Sequence, residues 1–233
     1  MLAGLFLATG LVFSSMLGTT AWGKIKNSQF ITVKGSARKN IESDLAVWRG
    51  SFSVEAEDLL DAQRKAQLNR SVVAQFLTDA GITNSTFAPV TIEELKTMKK
   101  DPDGWTLQRT SGYRLTQTVR VESADVNRIA KLDTTPLLEK GVLFTTFSPE
   151  FIYTSVAEAK LELLASAAKD ARARAEQIAT QGGRGIAQLH DADQGIFQIT
   201  PRHETQTSWQ GENDTSSQEK TITAVVTATF LLK

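Results

Sequence analysis

Residues 167–185 read AAKDARARAEQIATQGGRG, and the fold turns on whether this is a helix with its stop signal or a phosphate cradle. Val156, Leu163, Leu164, Ala167, Ala168, Ala171, Ala175 and Ile178 recur at helical spacing, which predicts a helix over about 154–181. Most of that stripe is alanine, so the helix can lie close against a sheet. Asp170 with Arg174, and Arg172 with Glu176, are i,i+4 pairs that each add roughly 0.2–0.5 kcal/mol. Arg172 points to solvent, and Arg174 sits at the edge of the stripe with its stem packed. Gly182, Gly183 and Gly185 come after the helix, at its negative carbonyl end. Phosphate cradles place glycines before a helix N-terminus, where N–H groups meet the anion. Gly182 or Gly183 is therefore the C-cap.

Working outward, FITVKGSA (30–37) predicts a strand, and LAVWRGSFSVEA (45–56) a second with Trp48, Phe52, Val54 and Ala56 on one face. A helix follows over about 57–80, with the stripe Leu59, Ala62, Ala66, Val73, Phe76, Leu77 and Ala80. Glu57, Asp58 and Asp61 suit its positive end, and Gly81 closes it. Strands over 82–96 and 105–121 flank MKKDPDG, a strong turn signal through Pro102 and Gly104. A short helix near 124–132 and a strand over 142–147 lead to the long helix. ITAVVTATFLL (222–232) closes the chain as a strand. This order predicts an α+β fold: a largely antiparallel sheet packed by one short and two long helices, with an N-terminal apolar helix. Residues 200–220 (TPRHETQTSWQGENDTSSQEK) are expected to form a polar, mobile loop.

The chain has 233 residues, enough to bury about 70% of its extended surface without a staple. Lys plus Arg and Asp plus Glu balance at 26 each, which argues against nucleic acid as a partner. There is no cysteine, which excludes disulfides, thiol catalysis and thiolate metal sites. MLAGLFLATGLVFSSMLGTTAW (1–22) carries no charge and is long enough to span a membrane. A cleaved signal peptide is the alternative, but no basic segment precedes the apolar run and no clean cleavage site follows it. The division expected is a signal-anchor over 1–22, a linker over 23–29 and one domain over 30–233. Lys24 and Lys26 alone would place that domain in the cytoplasm.

No residue emerges as catalytic, cofactor-binding or metal-binding. His190 and His203 are the only histidines. HDAD (190–193) holds metal-capable groups, but neighbours on a strand face opposite ways. His203–Glu204 reads as a solvated pair in a loop. Glu93 and Glu94 point to opposite faces and cannot share a substrate bond. Asn69 is a packing residue beside the first helix's stripe.

ITVKGSA, SDLAVWRGSFSVEA, the helix ending LTDAGI, SGYRLTQTVRVE and LLASAAKDARARAEQIATQGG together resemble the SIMPL-domain family. That family includes bacterial periplasmic immunogenic and oxidative-stress-defence proteins and a eukaryotic adaptor associated with a pelle-like kinase. The resemblance covers about 30–233 and rests on Gly112–Tyr113 and on Asp170, Ala171 and Ala175. Ser43–Asp44 stands where many members have Pro–Asp. The resemblance implies export to the periplasm, against the two lysines, a ring-like homo-oligomer, a link to oxidative stress and no active site. The leading expectation is a non-enzymatic, membrane-anchored cell-envelope protein that self-associates, held in the inner membrane with its domain in the periplasm. The alternative is a small-molecule or protein binding module (adaptor) using a cleft between the long helix and the sheet. A hydrolase or a peroxide-handling metal enzyme working through His190 or His203 ranks third.

Overall fold

A computed structural model describes residues 29–100, 106–204 and 208–233. The alternation of FITVKGSARKNIE and of EKTITAVVTATFLL decides the first half of the molecule. β1 (Phe30–Glu42) and β10 (Glu219–Leu232) pair antiparallel along their whole length, from Phe30↔Leu231 to Glu42↔Glu219. β8 (Ile186–Gln194) and β9 (Gln198–Pro201) share the other side of β10. The second half is a six-stranded sheet around β2 (Leu45–Ala56) and β5 (Thr106–Ser123). β3 (Ser85–Phe87) and β4 (Thr91–Lys100) extend it past β5, and β6 (Leu143–Thr146) and β7 (Glu150–Ile152) past β2. Every pairing between these strands is antiparallel.

Each sheet carries its own long helix. α1 (Leu59–Asp79) starts at Asp58, whose carboxylate accepts from Leu60 N and Asp61 N, and buries Ala62, Ala66, Val73, Phe76 and Leu77. With α2 (Val126–Ala130) and α3 (Thr135–Glu139) it covers the six-stranded sheet, around Trp48, Phe52, Val119 and Val121. α4 (Val156–Gln181) lies on β1 and β10 and buries Ala159, Leu163, Ala167, Ala171, Ala175 and Ala179. The row steps by four residues, so it turns about 40° around the axis at each step, as packing on a twisted sheet requires.

Three helices stop in the same way. Gly81, Gly141 and Gly183 have φ of 73°, 76° and 71°. In each case the glycine and the next residue return hydrogen bonds into the last turn. For α4 these are Gly183 N to Thr180 O at 3.0 Å and Arg184 N to Ala179 O at 2.9 Å. This double bond-back with a left-handed glycine is the Schellman arrangement. The glycines of the quoted stretch end a helix; Gly182 is the C-cap and Gly183 the left-handed residue after it.

The α+β class and the antiparallel pairing hold, with differences of detail. The pairing is divided between two sheets, and Thr135–Glu139 adds a second short helix where Pro136 opens a turn. The strand expected over 82–96 breaks into β3 and β4, because Pro89 has no N–H to continue the ladder on β5. Ile178 is 57% exposed and Ala168 is exposed, while Ala159 and Ala179 take their places in the buried row. The loop after β9 is pinned in its described parts rather than trailing free.

The membrane-anchored reading is corrected. Among the described residues no helix is long and apolar enough to cross a membrane. Residues 1–22, on which the anchor, the membrane partner and the inner-membrane placement rested, lie outside the described residues, as do the linker at 23–28 and the Pro102–Gly104 turn.

Candidate functional site: a cleft between helix and sheet

The residues of β10 that face α4 are Lys220, Ile222, Ala224, Val226, Ala228 and Phe230, every second position. α4 covers the apolar members of the row. Lys220 stands one step beyond them, beside the start of the helix, and is only 2% exposed. The chain leaves two adjoining spaces here, and Lys220 lines the inner one.

The outer part, or mouth, has a volume of about 620 Å3. Val156 and Lys160 of α4 form one wall, the β8–β9 turn from Gln194 to Phe197 another, and Gln210–Asn213 the third. The Lys160 ammonium lies 5.3 Å from the centre of the Phe197 ring, a cation–π contact. The inner part, or chamber, has a volume of about 210 Å3 and is lined by Ile41, Phe151–Tyr153, Asn213–Thr215 and Lys220. Val156, Ile199 and Asn213 line both.

The loop wall is held by backbone bonds. Ile199 N donates to Glu212 O at 2.7 Å, Asp214 N to Ile199 O at 2.9 Å, and Phe151 N to Thr215 O at 2.7 Å. The Gln198 side chain accepts from Glu212 N and donates to Ser208 O. In the same loop Trp209 is 92% exposed, at the rim of the mouth. Loop walls on rigid strands are where binding residues concentrate.

The chamber's charge is unusual. Lys220 Nζ donates to Phe151 O and Asp214 O, both at 2.5 Å. Burial, the larger influence, pushes the Lys220 ammonium below the ordinary lysine value, and the charge of Asp214 restores part of it. Burial also works against the Asp214 carboxylate. Hydrogen bonds from the Ser216 hydroxyl and N–H and from Ser217, together with the Lys220 charge, outweigh it and hold Asp214 below the usual carboxylate value. The α4 N-terminus opens at the same place, and the Ser155 side chain makes no capping bond.

The groups singled out from the sequence do not converge here. His190, Asp191 and Asp193 lie on β8 and line neither space: the His190 ring packs 4.6 Å from Phe30, and Asp193 stands just before the mouth's Gln194. His203 and Glu204 are exposed after β9. Among the described residues no group of three or more His, Asp or Glu is placed to hold a metal. Glu93 is an exposed partner of Arg114, and Arg172 and Arg174 are 62% and 55% exposed and paired to Glu176 and Asp170. Asn69 is half-buried in line with Ala66 and Val73.

The motif residues turn out to be structural. Gly35 meets α4 so closely that a Cβ would lie 2.2 Å from Ala167 O, and Ala171 and Ala175 are fully buried. Asp170 accepts from Ser36 N at 2.8 Å as well as from Arg174, satisfying one N–H on the free edge of β1. A Cβ on Gly112 would lie 2.7 Å from Ala56 O, at the end of β2. Asp44 accepts from Thr154 N and Thr154 Oγ1, tying the β1–β2 joint to the start of α4. Ser43 N donates to Gln218 O at 2.9 Å, a bond that proline would lack.

Lys220 and the loop carbonyls were missed by sequence reasoning. A signal existed: Lys220 continues the buried alternate row of β10 by one position, where a solvent-facing lysine would break it. The carbonyls that hold it carry no sequence signal.

Residues 31–230 match the SIMPL family, described as a protein of unknown function (DUF541). A search of curated proteins gives no match to the chain.

Proposed function

The chain belongs to the SIMPL family, and from that premise we propose that residues 30–233 act as a non-enzymatic binding module for a small molecule, held in the cleft between α4 and the four-stranded sheet. The observation that carries this reading is the two-part space itself. The chamber is mostly apolar with Lys220, Asp214 and Asn213 placed in it, as small-ligand sites are, and the mouth adds Lys160, Gln194, Gln210 and Glu212 beside Ile196 and Phe197. Its walls come from three separate elements and are fixed by backbone hydrogen bonds, so the space exists before a ligand arrives. Among the described residues no ordered set of catalytic groups faces it, which favours capture over chemistry.

The test is a fragment screen on the full chain, read by amide chemical shifts. Fragments that bind should move the amides of 194–197 and 210–215 together and raise Tm as ligand concentration passes Kd. Fragments that shift only amides elsewhere, or a broad library that shifts none, would remove the cleft from consideration.

A further inference from the structure

The chamber's electrostatics name a ligand class, an inference that rests on the cleft reading above. An ammonium carries three N–H donors. Two of those on Lys220 go to Phe151 O and Asp214 O, and the third meets no acceptor among the described residues. Lys220 is 2% exposed and lines the chamber, so what that donor can meet is an occupant of the chamber, a water or a ligand. The N-terminus of α4, 26 residues long and without a side-chain cap, adds its positive end at Val156, which lines the same chamber. Glu158 on the exposed side of the first turn, and the Asp44 carboxylate that accepts from Thr154 N just before the helix, offset part of that field. Asp214, the one carboxylate lining the chamber among the described residues, already accepts from Ser216 and Ser217.

The Lys220 ammonium and the helix end thus meet at a space whose apolar walls are Ile41, Phe151, Ile152 and Val156 and whose one carboxylate is Asp214. We propose that the chamber receives the carboxylate of a small organic acid, its charge on the Lys220 ammonium and its apolar body against Phe151, Ile152 and Val156. Size and charge both narrow the class. A volume of about 210 Å3 equals roughly seven waters at about 30 Å3 each, room for one ring with its carboxylate. The Lys220 and Asp214 charges cancel, so an incoming acid is held by the remaining Lys220 N–H and the helix end, and the repulsion from Asp214 is smaller for a monoanion than for a phosphate dianion. Any further substituent of the acid extends into the mouth, toward Lys160 and Phe197.

Benzoate and its neutral isostere benzamide, titrated separately into the full chain and followed by amide shifts, test this. Benzoate should move the amides of Tyr153–Val156 and Asn213–Thr215 and bind more tightly than benzamide by roughly tenfold, the scale of one hydrogen bond to a charged group. Lys220→Met should erase the preference and Lys220→Arg retain part of it. Equal binding of the two probes to the unmutated chain would overturn the carboxylate assignment while leaving the cleft as a neutral binding site. Benzoate that leaves the chamber amides unmoved would overturn it also, with the fragment screen deciding the cleft independently. The two-probe comparison needs no variant, so it remains decisive even if the Lys220→Met chain fails to fold.

Discussion

At the residue scale, the tightest of the described glycines against backbone is Gly35. Its α-carbon touches the backbone of α4, so Gly35→Ala forces a methyl to within 2.2 Å of Ala167 O unless helix and strand separate. Overpacking of this kind costs roughly 1–3 kcal/mol, and the upper end is expected because the obstacle is backbone. Thermal denaturation of Gly35→Ala should show a lower Tm at unchanged secondary structure; an unaltered Tm would mean that α4 sits farther from β1. Asp170 is the companion residue. Its hydrogen bond from Ser36 N, with the Arg174 bond, holds its carboxyl below the ordinary value against desolvation. Asp133 is lowered by Thr135 and Asp214 by Ser216 and Ser217, burial opposing both. Between these depressed values and the ordinary 3.8, the unfolded chain binds more protons than the folded one. The stability they add is complete above that window and is lost as pH falls through the folded values. Denaturation measured from about pH 5 to 3 should steepen downward, less so in Asp170→Asn. Lys220 works at the other end. Its lowered value means that the cost of burying the ammonium is relieved as pH rises toward 10.5.

At the element scale, α4 separates what was readable from what was not. Its existence, its span to within two residues at the start, and its glycine stop follow from periodicity and turn chemistry. Which alanines face the sheet does not, because an alanine-rich surface has little hydrophobic contrast and the curvature of the sheet chooses the row. Leu163 is 4% exposed and Ile178 57%, although both fitted the expected stripe. Leu163→Ala should cost roughly 2–5 kcal/mol; Ile178→Ala should stay within about 0.5 kcal/mol. Chemical denaturation of the pair checks the assignment, and equal losses would restore the original stripe. β7 and β9 were invisible for a different reason: strands of three and four residues are too short to show alternation, and they form because β2 and β10 offer free edges. The cleft suffers from the same limit. Its walls are a helix start, a turn and a loop held by carbonyls, and main-chain acceptors look alike in every sequence.

At the scale of the whole molecule, two helix-covered sheets with separate cores are joined through Ser43–Asp44 and the return of Phe151. Residues 45–152 complete the six-stranded sheet by themselves, whereas the other half takes strands from both ends of the chain. Removing residues 219–233 deletes β10, the strand to which β1, β8 and β9 are all bonded. Proteolysis of that truncated chain should degrade 30–42 and 156–204 quickly and leave a protected fragment spanning about 45–152. Uniform degradation would show that neither half stands without the other.

The pairing of Phe30 with Leu231 has a consequence for the newborn chain. These partners are about 200 positions apart, and a ribosome adding roughly 5–20 residues per second delivers the second some 10–40 s after the first. Throughout that interval the strand that leads the domain has no neighbour of its own to bind. It lacks its strand partner, and is available to chaperones or to a translocation channel, until the last strand emerges and closes the sheet beside the cavity at Lys220.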